Sequence, residues 1–186
     1  MFIAGPRAVS SLNKHVKERL NNLVNNNFEI LVGDANGIDK QIQSFFNSVN
    51  YNAVKVFASN GKARNNIGGW KVESVNVQPG VKGFDFYAAK DMEMAKAADY
   101  GFMIWNGKSK GTLNNINNLV KLNKKVLVYL IPNKQFYTIC DIHDIDKLFT
   151  KEKKLLSRTI PRLTKILNSY PGLVISSWKW LFSSYR

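Results

Sequence analysis

The sequence predicts an α/β protein: a Rossmann-like parallel sheet with helices on both faces, followed by a C-terminal helical extension. Three observations support this fold class. Short runs rich in valine, isoleucine and leucine alternate with stretches that carry apolar residues at helical spacing. These runs are continuously apolar, which is typical of parallel strands buried on both faces. Glycine-bearing turns follow three of the runs, at residue 5 and at residues 33–37 and 107–111.

The first half of the chain predicts three strands, two helices and one further extended segment. The helix after the first strand is expected to begin with Ser10 or Ser11 as its N-cap, and its apolar face includes Val16, Leu20 and Leu23. The strands are expected at 1–4, 28–32 and 53–57, and the helices at about 10–25 and 38–49. Residues 70–77 alternate in character, which predicts an edge strand or an extended loop.

The second half repeats the pattern and then changes texture. Helices are expected at 84–98 and 113–122, and strands at 100–105 and 125–131. Beyond them we expect a short strand at 136–139, helices at 141–148 and 153–167, and an aromatic, weakly basic end at 173–186. We therefore divide the chain into a Rossmann-like domain, residues 1–133, and a basic, aromatic helical extension packed on it, residues 134–186.

Composition limits the class of protein and its compartment. A chain of 186 residues can bury a sizeable core as one domain, and a hydrophobic content of 45% is that of a globular protein. The single cysteine, Cys140, excludes an internal disulfide and a cysteine-based zinc site within one chain. The sequence shows neither a leader pattern nor a run of about 18 apolar residues, so we expect a cytoplasmic protein without a transmembrane segment.

The strong positive charge suggests an anionic partner. The formal net charge of +14 fits nucleic acid, an anionic membrane surface or a small phosphorylated ligand. The charge is spread along the chain and is densest at 151–165. Because dispersed lysines usually form a solubilising surface, nucleic acid is kept as an alternative partner.

The best candidate site is the turn that ends the predicted strand at 100–105. A strand followed by a glycine-rich turn and a helix start favours an anion, since the first N–H groups of the helix and its dipole point at the turn. The glycines allow close backbone approach, and the other side chains add charge and hydroxyl donors. The candidate phosphate ligands are Gly107, Lys108, Ser109, Lys110, Gly111 and Thr112.

Two further turns are expected to reach the same cleft, because ligands of such sheets bind beyond the carboxyl ends of the strands. Arg7 and Arg64 could each bind phosphate or lie on the surface, and Asp34 could bind a ribose hydroxyl or complete an Asx turn. Trp105 could stack on a base or belong to the core. Asp39 is interpreted as structural, since a carboxylate in a first helical turn is stabilising without any function. The glycines of these turns, Gly5, Gly33 and Gly37, complete the binding candidates.

Four segments in this order resemble the SLOG superfamily, a Rossmann-like nucleotide-binding group that includes the Lonely guy phosphoribohydrolases and the DNA-processing protein DprA. The segments are Gly5-Pro6-Arg7, residues 33–39, residues 61–65 and residues 98–112. Within the group the chain is most similar to the YspA/YpsA-related branch, over roughly residues 1–131. The resemblance implies a ligand built on a nucleotide or nucleotide sugar and, in some branches, cleavage of its N-glycosidic bond.

That cleavage would need a carboxylate near the sugar. Asp91 and Glu93 are the candidates, and both could equally belong to a solvated helix face. Two residues apart on a helix, they point about 200° from each other and should not serve one site. Asp91 is favoured, because it lies one turn before the apolar Met94.

The expected function is therefore binding of a nucleotide-like small molecule, with hydrolysis of its glycosidic bond as the candidate reaction. A non-catalytic sensor or sequestering protein and a nucleic-acid-binding protein are the alternatives. His15 and His143 are isolated, so no transition-metal site and no cofactor are expected. Magnesium beside a phosphate and assembly into a homo-oligomer both stay open.

Overall fold

The computed structural model describes residues 1–148, which form a seven-stranded sheet flanked by helices. The strands are β1 (Phe2–Ala4), β2 (Ile30–Gly33), β3 (Val54–Ser59), β4 (Lys71–Val75), β5 (Gly101–Trp105), β6 (Val126–Leu130) and β7 (Gln135–Ile139). The helices are α1 (Lys14–Asn25), α2 (Ile38–Ser48), α3 (Gly83–Ala97) and α4 (Lys110–Lys121). The predicted α/β class is confirmed.

The strand order places two consecutive parts of the chain on opposite sides of β1. The order across the sheet is β4-β3-β2-β1-β5-β6-β7, and every neighbouring pair is parallel except β6 and β7. After β4 the chain returns through α3 to the other side of β1, where β5 pairs with it in the register Ala4 to Met103. The strand order therefore reverses between β1 and β5, and a crevice is expected where their carboxyl ends part.

The core is built from the strands in the middle of the sheet and from the apolar stripes of the helices. Every residue of β1, β2 and β5 is buried. The stripe predicted for α1 packs as expected, with Val16, Leu20 and Leu23 at most 2% exposed. Each such aliphatic side chain contributes on the order of 1.5–3 kcal/mol on burial, so the sheet and its helices hold the crevice in a fixed shape.

Two helices begin where side-chain caps place them, and this corrects two predicted boundaries. Asn13 caps α1, since its Oδ1 accepts from the backbone N–H of Val16 at 3.0 Å; the predicted caps Ser10 and Ser11 are wrong. Ser109 caps α4, so the helix starts at Lys110 rather than at residue 113. Half of the predicted phosphate turn is therefore helical.

The two edge strands of the sheet are β4 and β7. The segment predicted as an edge strand or loop is the edge strand β4, parallel to β3. At the other edge, β7 pairs with β6, and the helical residues 142–148 bury Ile145 and Leu148. The predicted boundary at residue 133 thus falls inside a compact unit that runs from Met1 to Leu148.

Several predictions fall on residues outside the described part of the chain. These are the helix at 153–167, the aromatic end at 173–186 and the packing of the extension on the domain. Within residues 1–148, no helix is both long enough and apolar enough to cross a membrane.

Candidate functional site

A cleft lies where the carboxyl ends of β1 and β5 part, and its cavity volume is about 480 Å³. It is lined by the loop after β1, the start of α2, the loop after β3, one face of α3 and the first two turns of α4. The volume falls within the range of small-molecule sites. The cleft also occupies the position where open α/β sheets bind ligands.

The start of α4 forms one wall of this cleft, but part of the predicted turn is already paired within itself. The side-chain Oδ1 of Asn106 accepts from the backbone N–H groups of Lys108 at 3.0 Å and Ser109 at 2.8 Å. The Oγ of Ser109 accepts from the backbone N–H of Thr112 at 3.3 Å and from its hydroxyl at 3.0 Å. Backbone donors expected for a ligand at 108, 109 and 112 are therefore engaged by the turn.

The remaining donors of the first turn belong to Lys110 and Gly111, which both line the cleft. These N–H groups lie where an α-helix leaves its donors without an intrahelical partner. A Cβ built on Gly111 would meet nothing within 4 Å, so the space beside this residue is open. Gly107 lies outside the cleft wall. Its φ of +78° is one that glycine adopts readily, so the turn itself accounts for a glycine at this position.

Three other predicted binding glycines have packing reasons that need no ligand. A Cβ on Gly5 would lie 2.8 Å from the backbone oxygen of Ile104, so this glycine lets β1 and β5 approach closely. A Cβ on Gly33 would lie 2.7 Å from the Nζ of Lys90. Gly37 has a φ of +80° at the start of α2. Among the predicted glycines, Gly111 is the one that opens directly onto the cleft without such a constraint.

The two predicted arginines play different parts. Arg64 binds the carboxylate of Asp34 with two side-chain hydrogen bonds of 2.8 Å each, and its backbone N–H adds a third at 3.1 Å. Burial would raise the pKa of Asp34, but the hydrogen bonds from Arg64 and the charge of Lys90 hold it below its usual value. Asp34, predicted to bind a ribose hydroxyl, is thus occupied by Arg64 and does not line the cleft.

Arg7 is an exposed cation of the cleft wall, as are Arg64 and Lys110. Its guanidinium lies 5.9 Å from the centre of the Tyr87 ring, and Arg64 lies 4.5 Å from the same ring. Within residues 1–148, no carboxylate forms an ion pair with Arg7. Its charge is therefore not neutralised by a carboxylate, whereas that of Arg64 is largely neutralised by Asp34.

A buried lysine that sequence reasoning missed belongs to the cleft wall. Lys90 is 3% exposed; its Nζ lies 2.7 Å from Oδ1 of Asp91 and 4.0 Å from Oδ1 of Asp34. Burial alone would lower the pKa of Lys90, but the charges of Asp91 and Asp39 raise it above the usual value. The signal was its spacing, since Lys90 lies four residues before the buried Met94 and hence on the same helix face.

Asp39 also lines the cleft and is more than a stabilising charge in a first helical turn. It is 6% exposed, and its Oδ2 accepts from the backbone N–H of Ala35 at 3.2 Å. Burial raises the pKa of Asp39 to about 7, with Lys90 opposing the rise and Asp91 adding to it. This carboxyl can therefore exchange a proton near neutral pH.

The two catalytic candidates are separated as helix geometry requires. Asp91 lines the cleft, and its side chain is 19% exposed. Glu93 is not part of the cleft wall; its side chain is 45% exposed and pairs with Lys96 at 2.7 Å. The structure thus brings Asp91, and not Glu93, to the cleft that the start of α4 lines.

The aromatic side chains that line the cleft do not include Trp105, the residue predicted to stack on a base. Trp105 is 1% exposed, and its indole Nε1 donates to the backbone oxygen of Ser109 at 3.1 Å, so it supports the turn from the core and cannot stack on a base there. Phe84 and Tyr87 line the cleft instead and are 54% and 38% exposed. Their spacing of three residues on α3 was the available signal.

Comparisons of the chain with protein-family models, with curated proteins and with solved structures find no match. Within residues 1–148, no group of three or more histidine, cysteine, aspartate or glutamate side chains could hold a metal ion. The cleft combines a helix start, an arginine without a carboxylate partner among residues 1–148, two exposed aromatic rings and the carboxylate of Asp91.

Proposed function

We propose that the cleft binds a nucleotide, with the phosphate at the start of α4. The observation that carries the proposal is the convergence of three anion-binding features on open space. Gly111 and Lys110 line the cleft at the first turn of α4, where N–H groups lack intrahelical partners, the Cβ position of Gly111 is open, and Arg7 lines the same cleft without a carboxylate partner among residues 1–148. Helix starts and arginines are both common phosphate ligands, because each directs N–H donors and positive charge at the anion.

The rest of the cleft suits the nucleoside part of such a ligand. Phe84, which is 54% exposed, offers a ring on which a base could stack, and Tyr87 lines the cleft beside it. The cavity of about 480 Å³ is large enough for a small-molecule ligand of this size class. The resemblance of residues 1–131 to the SLOG superfamily supports the same ligand class.

We also propose that the chain hydrolyses the N-glycosidic bond of this ligand. Asp91 is the carboxylate that would stabilise the oxocarbenium-like transition state or activate water, because it shares the cleft with the phosphate turn. The ammonium of Lys90, 2.7 Å from its Oδ1, orients the carboxylate and leaves Oδ2 for the sugar. Asp91 is thus held by a rigid neighbour, as a positioned catalytic group needs to be.

The binding proposal is tested by calorimetric titration of the protein with adenosine 5′-monophosphate, adenosine and inorganic phosphate. We expect the monophosphate to bind and adenosine to bind much more weakly, since the phosphate supplies the charge that the site recognises. Equal affinity for adenosine and its monophosphate would refute the phosphate site. Tight binding of an oligonucleotide that falls steeply with salt, without affinity for any mononucleotide, would favour the nucleic-acid alternative instead.

The reaction is tested separately by incubating the protein with a panel of nucleoside monophosphates and NAD and separating free base by chromatography. Base release that grows with protein concentration would support the hydrolase. Binding of a mononucleotide with no base released from any member of the panel would favour the sensor or sequestering protein.

A further inference from the structure

One buried side chain in the cleft wall has an oxygen atom without a hydrogen-bond partner among residues 1–148. Asn115 is 3% exposed and lines the cleft, and its Oδ1 is a buried oxygen without a hydrogen-bond partner among residues 1–148. No other buried side-chain oxygen or nitrogen in that part of the chain is left in this state. Burying an acceptor without a partner costs free energy, so native proteins almost always satisfy such atoms with protein, water or ligand.

The position of Asn115 relates this oxygen to the proposed phosphate site. It lies four residues after Gly111 and three after Thr112, so the three residues share one face of α4. One helical turn corresponds to about 5.4 Å along the axis, and side chains tilt toward the helix start. Asn115 therefore lies about one turn further along α4 than the residues whose N–H groups are open, within the span of one small ligand.

The chemistry of the two subsites is opposite. The helix start presents donors and suits an anion, whereas a carboxamide oxygen accepts hydrogen bonds and would repel phosphate oxygens. A group that satisfies Asn115 Oδ1 must donate. In a phosphorylated sugar, hydroxyl donors lie within a few bonds of the phosphate, which matches this arrangement.

We propose that Asn115 Oδ1 accepts a hydrogen bond from a sugar hydroxyl of the ligand, so that the cleft selects phosphorylated sugars and nucleotides over phosphates that lack hydroxyls. This assignment rests on the proposed phosphate site at the start of α4. It adds a residue that determines specificity for the sugar.

The test compares three probes by calorimetric titration: ribose 5-phosphate, n-pentyl phosphate and inorganic phosphate. Each is titrated into the wild-type chain, into Asn115→Leu and into the control Asn117→Leu, which changes a half-buried asparagine of the same helix outside the cleft wall. We expect Asn115→Leu to weaken ribose 5-phosphate binding about tenfold, the factor for loss of one hydrogen bond to the ligand, and to leave n-pentyl phosphate unchanged. Asn117→Leu should change neither.

A melting curve of the ligand-free protein separates this role from a structural one. Replacing an unpaired buried acceptor by an apolar side chain of similar volume should leave the Tm of Asn115→Leu unchanged or raise it. A clear fall in Tm would show that Asn115 has a structural partner and would overturn the assignment. Equal binding of ribose 5-phosphate and n-pentyl phosphate to the wild type, or equal losses for both in the variant, would also overturn it. If none of the three probes binds, the phosphate site itself fails.

Discussion

The Nζ of Lys90 lies 2.7 Å from Oδ1 of Asp91, its neighbour in sequence, and the ammonium is almost completely buried. Asp34 and Asp39 lie near the same charge, on the side of the sheet where the cleft opens. One buried cation therefore compensates several carboxylates that would otherwise repel one another. This arrangement couples the stability of the domain to the integrity of its proposed site.

Replacing the buried lysine should be strongly destabilising. Lys90→Met should lower the free energy of unfolding by about 3–5 kcal/mol, because it leaves buried carboxylates without their cation. Lys96→Met is the matched control on the same helix: its side chain is 56% exposed and pairs with Glu93. The control should change the free energy by no more than about 1 kcal/mol. Urea denaturation measures both, and equal effects would contradict a central role for Lys90.

Asp39 should make the domain less stable as the pH rises toward neutrality. Its pKa is about 7 in the folded chain, against 3.8 in its usual state, so between these values the folded state holds a proton that the unfolded state has lost. The contribution of Asp39 to stability is therefore fully present below about pH 4 and is lost as the pH rises through 7.

The variant that tests this is Asp39→Asn, which keeps an oxygen for the N–H of Ala35. Relative to the wild type, its free energy of unfolding should increase between pH 4 and pH 8, by a few kcal/mol at most, since each pKa unit corresponds to about 1.4 kcal/mol. Urea denaturation at several pH values measures the difference. A difference that does not vary with pH would show that Asp39 is ionised throughout.

Substitution of Arg7 should mainly weaken ligand binding, whereas substitution of Arg64 should mainly lower the stability of the fold. Arg7→Gln should weaken binding of adenosine 5′-monophosphate about tenfold and change the free energy of unfolding by less than about 0.5 kcal/mol. Arg64→Gln should instead lower stability by about 1–3 kcal/mol, because the buried carboxylate of Asp34 loses its two-point partner. Calorimetric titration and urea denaturation of both variants measure the contrast. The reverse pattern would assign the ligand charge to Arg64.

A side chain at Gly111 should block the ligand and spare the fold. Its Cβ position is open, and glycine is a poor helix former, so Gly111→Val should change stability by less than about 1 kcal/mol. Because Gly111 lines the cleft, the same side chain would narrow the cleft beside the helix start and should abolish nucleotide binding. Asn114→Val, on the same helix outside the cleft wall, is the control for both measurements. Loss of the folded state in Gly111→Val would mean that the glycine serves only the connection from strand to helix.

The proposed reaction should depend on one of two nearby carboxylates. Asp91→Asn should lower base release at least a hundredfold, whereas Glu93→Gln should leave it unchanged, since Glu93 lies outside the cleft wall. Initial rates of base release measure both variants. Full activity in Asp91→Asn would remove the catalytic assignment.

Much of the fold could be predicted because strand and helix periodicities are local. The apolar runs and the helical spacing of apolar residues predicted the strands of the central sheet and the helices that flank it to within a few residues. Boundaries set by single side chains were less accessible. Asn13 was not recognised as the cap of α1, since an N-cap shows itself only through a hydrogen bond to the third residue of the helix. The antiparallel β7 was expected as a strand, but nothing local indicates that it joins the sheet.

The site was harder to predict, because the type of a residue does not show whether its side chain is already hydrogen-bonded within the protein. Trp105 and Asp34 had suitable chemistry, yet the structure engages one with the backbone of Ser109 and the other with Arg64. Lys90 was overlooked because lysine side chains are usually solvated. Asp91 was favoured over Glu93 on helix geometry; Asp91 lines the cleft and Glu93 does not, while a catalytic role for either stays a prediction.

The paired turn before α4 has a kinetic consequence. Because Asn106 and Ser109 hold the backbone of residues 106–112 with their own side chains, the cradle has its shape before any ligand arrives. A preformed site loses little chain entropy on association and needs no slow rearrangement. Nucleotide capture should therefore occur in a single step whose rate rises linearly with ligand concentration, and affinity should be set mainly by how slowly the complex dissociates.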